Sequence, residues 1–196
     1  GETADRMSWT AYERSRNSPV IARFLSRLHR TELSDSFQIP DTLRRADLEY
    51  RLPIVLSKLP AKPPTGLPEL LTSLAATPSW SEAPQWVHGD LYSRHLIAND
   101  QNLVIGVIDW GDVHLGDPAI DLAIAWMFLP KSSWPAFFAE YGTIDPNTWN
   151  RARFRAITHW VYLYEYGDKT HDDLLMRELN FQLENVLEDG PFPGQG

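Results

Sequence analysis

Apolar residues recur along most of this chain at the three-to-four-residue spacing of helices. Val20, Ile21, Phe24, Leu25 and Leu28 make one such stripe. Ser18-Pro19 stands just ahead of it, a capping residue followed by a proline suited to the first helical turn, so the pattern predicts a helix starting there. Leu43, Leu48, Leu52, Val55, Leu56 and Leu59 predict helix across residues 41–59, with Pro53 marking a kink or a division into two helices. Residues 60–68, PAKPPTGLP, read as loop, and a short helix is expected from Glu69 to Ala76. Asp117-Pro118 and Asp145-Pro146 repeat the cap-plus-proline signal. The first leads into Ile120, Leu122, Ile124, Ala125 and Met127, the second into Phe154, Ile157, Trp160, Val161 and Tyr164. A last helix is expected over about residues 171–188, followed by a flexible tail at 189–196.

Two places depart from the helical period. Trp86-Val87-His88 reads as a short strand. Leu96-Ile97-Ala98 and Leu103 to Ile108 flank Asn99-Asp100-Gln101-Asn102, which has the composition of a hairpin turn. There is no internal repeat. The expected fold is mostly α with a small β-hairpin.

Composition narrows the function. The 196 residues are 43% hydrophobic, enough for one domain or a large lobe with its own core. Eight Trp, seven Tyr and eight Phe supply core packing or a ligand wall. A formal net charge of −8 argues against a nucleic-acid partner held through its phosphates, and an acidic surface suits a cationic small molecule. With no cysteine, disulfides, thiol catalysis and Cys-based zinc sites are excluded. No run of apolar residues is long enough to span a membrane, and GETADRMSW is not a signal peptide, so a cytoplasmic protein is expected.

The chemistry concentrates in residues 86–121, WVHGDLYSRHLIANDQNLVIGVIDWGDVHLGDPAID. Asp90 follows an apolar approach and His88-Gly89. His95 comes five residues later. The apolar run Leu103 to Ile108 delivers Asp109 into Trp110-Gly111-Asp112, and Asp117 to Asp121 opens the next helix. Two carboxylates separated by a hairpin can face each other across a metal–phosphate site, one as base and one as Mg²⁺ ligand.

This segment resembles the catalytic core of the aminoglycoside phosphotransferase and choline kinase-like family, small-molecule kinases with a fold similar to that of protein kinases. His88-Gly89-Asp90-Leu91, Ile108-Asp109-Trp110 and Gly116-Asp117-Pro118-Ala119-Ile120-Asp121-Leu122-Ala123 carry the likeness. The family usually has Asn where this chain has His95, and His-Gly-Asp-Leu-Tyr-x-x-His is similar to the loop of the macrolide phosphotransferases. The resemblance implies the C-terminal lobe of a protein-kinase-like α+β fold, with residues 1–17 a remnant of an inter-lobe linker and the N-terminal nucleotide-binding lobe absent. No Gly-rich loop and no β-strand lysine stand ahead of the motif, so this chain alone is expected to be inactive. The implied activity is transfer of the γ-phosphate of ATP or GTP to a hydroxyl of a small molecule, an antibiotic of the macrolide or aminoglycoside class, with Mg²⁺ or Mn²⁺.

The resemblance also assigns roles. Asp90 is the catalytic carboxylate, Asp109 a metal ligand, and His95 a metal ligand or a brace for the loop. His88 and Asp121 support the loop from below. Asp112 is a weaker candidate for the metal, while Asp117 reads as a helix cap and His29 as structural. Glu165, Tyr162 and Trp126 are candidates for the acceptor, as a carboxylate with an aromatic wall suits an amine. Two other readings stay open: a kinase-like binding lobe without turnover, and a metal-dependent hydrolase using His88, Asp90, His95 and Asp109.

Overall fold

The structure, a computed structural model, describes residues 1–32 and 39–188. The tail expected at 189–196 lies outside the described residues. Seven helices and five short strands are described: β1 Glu2–Thr3, α1 Ala11–His29, α2 Leu48–Ser57, α3 Leu67–Ala75, β2 Gln85–Val87, β3 Leu96–Ala98, β4 Val104–Val107, β5 His114–Gly116, α4 Ala119–Phe128, α5 Trp134–Tyr141, α6 Pro146–Thr170 and α7 Asp173–Leu187. Among the described residues no helix is long and apolar enough to cross a membrane.

The core forms around α4, whose ten residues are all buried. Pro118 is its N-cap residue, and the buried Asp117, one position earlier, accepts the Ala119 N–H at 2.9 Å. The Asp117 carboxylate also takes the Arg151 Nε–H at 2.6 Å, which ties α4 to α6. Trp126 of α4 packs on Trp134 and Trp149, with ring centroids 4.5 and 5.3 Å away. A buried ion pair, Arg14–Glu178 at 2.7 Å, joins α1 to α7.

Helix α1 starts earlier than the Ser18-Pro19 signal implies. A capping box, Thr10 with Glu13, opens it at Ala11 and leaves Pro19 in its interior. Tertiary contacts hold this stretch helical despite the missing N–H. Ser18 donates to the Ser133 carbonyl at 2.9 Å, and the buried Asn17 accepts the Val104 N–H at 2.7 Å. The helix expected over 41–59 is also shorter. Asp47 caps it by accepting the Tyr50 N–H, and residues 41–47 form turns in which Arg44 has a φ of 51°. Pro53 sits within α2 and does not divide it. Helix α5 was not foreseen.

The hairpin β3–β4 forms as expected, and β1 adds to it as a third antiparallel strand, Glu2 opposite Ala98 and Thr3 opposite Ile97. The expected strand near Trp86 is β2, which pairs antiparallel with β5 in a second small sheet, Val87 opposite His114. Residues 1–17 are thus built into the lobe. Glu2–Thr3 lie in a sheet, residues from Ala11 onward are helical, and the buried Asp5 receives Arg94 Nε at 3.0 Å.

Candidate active site

The two sheets bring separate pieces of the motif together. Strand β2 ends at Val87 and delivers His88-Gly89-Asp90, while β3–β4 returns the chain to Asp109 beside them. His95 ends a 3₁₀ turn at the foot of β3. Asp90, His95 and Asp109, separated by up to nineteen positions in sequence, therefore meet at one edge of the lobe. His95 Nε2 lies 3.3 Å from Asp109 Oδ2, and His95 Nδ1 lies 2.6 Å from the Asp90 carbonyl.

The loop beneath is tightly held. Asp121 at the start of α4 is fully buried and accepts the His88 N–H at 2.6 Å and the Gly89 N–H at 2.9 Å. Its second partner set is His29, whose Nε2 is 3.2 Å away and whose Nδ1 meets the Tyr141 hydroxyl at 2.8 Å. Burial pushes the Asp121 carboxyl up, but the His29 contact and the two loop amides outweigh burial and hold it below its usual value of 3.8. His88 faces the Ile108 carbonyl through Nε2 at 2.9 Å and the Asp90 N–H through Nδ1 at 3.3 Å. Nε2 donates to the carbonyl and Nδ1 accepts the N–H, so both His88 nitrogens are committed. That removes His88 from the ligand set of a metal-dependent hydrolase. Among the described residues, no group of three or more His, Asp or Glu side chains is arranged to hold a metal by itself.

Backbone geometry aims the carboxylates. Asp109 has φ 64° and ψ 64°, left-handed values rare outside glycine, and its side chain is 63% exposed. The bend turns the carboxylate out of β4 toward His95. Gly89 has φ +89°, and a Cβ there would stand 2.3 Å from the Asp112 carbonyl. Gly89→Ala is expected to destabilise the protein by more than about 1 kcal/mol, since left-handed strain adds to a backbone clash. Chemical denaturation of the variant checks this, and an unchanged midpoint would show that the loop has another conformation open to it.

His95 Nδ1 donates to the Asp90 carbonyl, and its Nε2 faces the Asp109 carboxylate. Two acceptors cannot face each other at 3.3 Å without a proton or a cation between them. The donor set, one carboxylate and one imidazole oriented by a backbone carbonyl, fits an ion completed by phosphate oxygens and water.

Several neighbours have no counterpart in the sequence analysis. Arg155 of α6 places Nη2 3.4 Å from Asp90 Oδ1 and 3.5 Å from the Gly89 carbonyl. Burial pulls its guanidinium below the usual arginine value, Asp90 acts in the opposite sense, and Arg45 and Arg51 add to the lowering. Arg94 braces the loop from the side, bonding Asp5 and, at 2.6 Å, Asp172 at the N-cap of α7. Tyr92 packs between His95 and His159, ring centroids 4.5 Å from each, and burial pushes its hydroxyl up to about 12. Burial and the Arg155 charge hold His159 neutral. Arg151 and Arg155 stand one turn apart among Ala152, Phe154, Ala156 and Ile157. A charge inside an apolar stripe was the available signal.

The other candidates fall elsewhere. Asp112 binds Arg45 Nη2 at 2.8 Å and shapes the loop. Trp126 is 4% exposed inside the tryptophan cluster, so it is closed to an acceptor in this structure. Glu165 is exposed and paired with Lys169 at 2.5 Å, the cation one turn on, rather than set against an aromatic wall. Tyr162 lies seven residues beyond Arg155 on α6 and meets Arg51 Nη1 through its hydroxyl at 3.4 Å.

Solved structures of macrolide and aminoglycoside phosphotransferases have a similar fold. A macrolide 2'-phosphotransferase type I aligns with a TM-score of 0.57 at 20% identity, covering 84% of this chain and 57% of that one. A macrolide 2'-phosphotransferase from Brachybacterium faecium aligns with a TM-score of 0.53 at 18% identity, over 98% of this chain and 63% of its own. An aminoglycoside phosphotransferase from Streptomyces rimosus gives a TM-score of 0.53 at 25% identity, over 81% of this chain and 65% of that one. The chain thus spans less than two thirds of the length of each. Comparison with curated proteins finds no match. The family model of the phosphotransferase enzymes matches residues 2–156, a span that contains both sheets, the whole loop and Arg155, and on that match this chain belongs to the phosphotransferase enzyme family.

Proposed function

We propose that this lobe transfers the γ-phosphate of ATP or GTP to a hydroxyl of a small organic molecule. The observation that carries the reading is the convergence of Asp90, His95 and Asp109 on one edge of the lobe, with Asp109 turned outward and Asp90 partly exposed. In this scheme the acceptor oxygen bonds to the γ-phosphorus, the bond to the β-bridging oxygen breaks, and the hydroxyl proton passes to Asp90. Asp109 and His95 Nε2 would hold Mg²⁺ or Mn²⁺, which when bound would neutralise charge on the phosphates. His88 and Asp121 keep Asp90 in place and take no part in proton transfer.

The neighbours' names point to a macrolide or an aminoglycoside as acceptor, and His95 resembles the macrolide enzymes' loop. The arginines beside Asp90 favour a different acceptor, as argued below. The scheme also implies that these 196 residues alone bind nucleotide weakly, because no lysine occurs before Lys58 and no closely spaced glycines precede the loop.

Asp109→Asn tests the reading. Replacing a charged oxygen ligand is expected to weaken Mg²⁺-dependent nucleotide binding by about tenfold or more and to lower turnover with it. Calorimetric titration of ATP and GTP with and without Mg²⁺ checks this. Equal affinities for wild type and variant in both conditions would remove Asp109 from the metal site. His95→Asn, which puts an amide oxygen in place of an imidazole nitrogen, is expected to shift preference from Mn²⁺ toward Mg²⁺.

A further inference from the structure

We infer that the acceptor carries a carboxylate or phosphate near the hydroxyl that is phosphorylated, and that Arg155 and Arg51 hold this anion between α2 and α6. The inference rests on the phosphotransferase reading and names the substrate class of the same site.

Cations line the approach to Asp90 along α6. Arg155 touches Asp90 through one nitrogen only, at 3.4 Å, a long contact for a charge-assisted bond, where 2.7–2.9 Å is usual. Its Nε and Nη1 have no hydrogen-bond partner among the described residues, and neither is among the fully enclosed unpaired atoms. Arg51 donates to the carbonyls of Leu43 and Arg44 and to the Tyr162 hydroxyl, with no carboxylate among its partners. Tyr162 follows Arg155 by seven residues, two helical turns, so it shares the α6 face that Arg155 presents to Asp90. Lys58, just beyond α2, lies over the Tyr162 ring with Nζ 5.4 Å from the centroid.

Arg51 and Lys58 thus meet at Tyr162, two helical turns along α6 from Arg155, in a chain whose formal charge is −8. Among the described residues Asp112 pairs with Arg45, Asp47 with Arg44, and Glu165 with Lys169. A polyamine acceptor entering here would meet Arg155 and Arg51 as like charges. An acceptor with an anionic group would instead complete the donor set of Arg155 and draw its charge from Asp90, freeing that carboxylate to take the hydroxyl proton.

Paired acceptors test this in the protein as it occurs. Glycerol 3-phosphate is compared with glycerol, gluconate with glucose, and kanamycin serves as the cation. Turnover is followed by nucleotide diphosphate release, and acceptor binding by ligand-observed NMR. The expected result is at least tenfold higher kcat/KM for each anion than for its neutral partner, with kanamycin no better than the neutral compounds. Arg51→Met should raise the KM for the anions about tenfold and shrink the anion-to-neutral ratio. Arg155→Lys, which keeps charge but not the fork, should keep part of that ratio, with a thermal melt confirming that it folds. Preference for kanamycin, or a loss of kcat in the arginine variants that is equal for all acceptors with KM unchanged, would overturn the inference and place Arg155 on the transferring phosphoryl group instead. If no acceptor supports turnover, the phosphotransferase reading fails. NMR binding then decides the anion site by itself: Arg51-dependent binding of glycerol 3-phosphate or gluconate upholds it, and its absence overturns it.

Discussion

Asp90→Asn is expected to lower kcat by about 10²-fold or more, the scale of losing a general base that also orients the nucleophile. Nucleotide affinity should stay near the wild-type value, because the groups proposed to hold the metal, Asp109 and His95 Nε2, are untouched. The loop should keep its shape, since Asp90 is held there through its backbone. Its N–H meets His88 Nδ1 at 3.3 Å and its carbonyl takes His95 Nδ1–H at 2.6 Å. Among the described residues the side chain makes only long contacts, with Arg155 at 3.4 Å and with His95 Nδ1 at 3.9 Å. A clean separation of rate from affinity and stability therefore follows from the geometry. Steady-state kinetics at saturating acceptor, nucleotide titration and a melting curve check the three parts. Near-full turnover in Asp90→Asn would make the binding lobe without catalysis the better reading.

Asp121→Ala is expected to be the most destabilising single change at this site, by about 3–5 kcal/mol, the range for removing one member of a buried, hydrogen-bonded polar set. The deletion strands the His88 and Gly89 N–H groups and His29 Nε2 in a place without water. Asp121→Asn should cost less, yet not be neutral, because an amide offers one oxygen where two backbone donors and an imidazole converge. The pH dependence separates charge from shape. The folded Asp121 carboxyl sits below its ordinary 3.8, so its stabilisation is complete above that pH and is lost as pH falls through the lowered folded value. The stability gap between wild type and Asp121→Asn should accordingly narrow in acid below pH 3.8. Urea unfolding across pH checks this, and a gap that stays constant into strong acid would show that shape alone sets the cost.

The ease of reading this chain varied with the range of the interactions involved. Local signals were sufficient for the hairpin around Asn99-Asp100-Gln101-Asn102, for the helix behind Asp145-Pro146 and for the loop motif, because a turn, a cap and an apolar period act within a few residues. They misplaced the start of α1, where Ser18-Pro19 looked like a cap and Thr10-x-x-Glu13 was the cap. The sequence held both signals, and only the burial of Asn17 and Ser18 against Asn102, Val104 and Ser133 shows why helix wins through Pro19. The pairing of β2 with β5 was equally out of reach, since strands of three residues carry too little pattern to name a partner.

By itself the sequence determined a helical, cysteine-free chain with one hairpin, and the likeness of its loop to the family's motif made Asp90, His95 and Asp109 candidate site residues, because a short local motif survives without knowledge of the fold. The family likeness also offered Trp126 and Glu165 as acceptor contacts, by position on the helices and by residue type. The tertiary structure buries Trp126 among tryptophans and pairs the exposed Glu165 with Lys169. It also brought Arg155 from 65 positions away to the side of Asp90, and Arg51 from another helix to Tyr162. The sign of the charge facing a reacting group is a sum over neighbours in space, so no local pattern of Asp, Glu or Arg could have shown it.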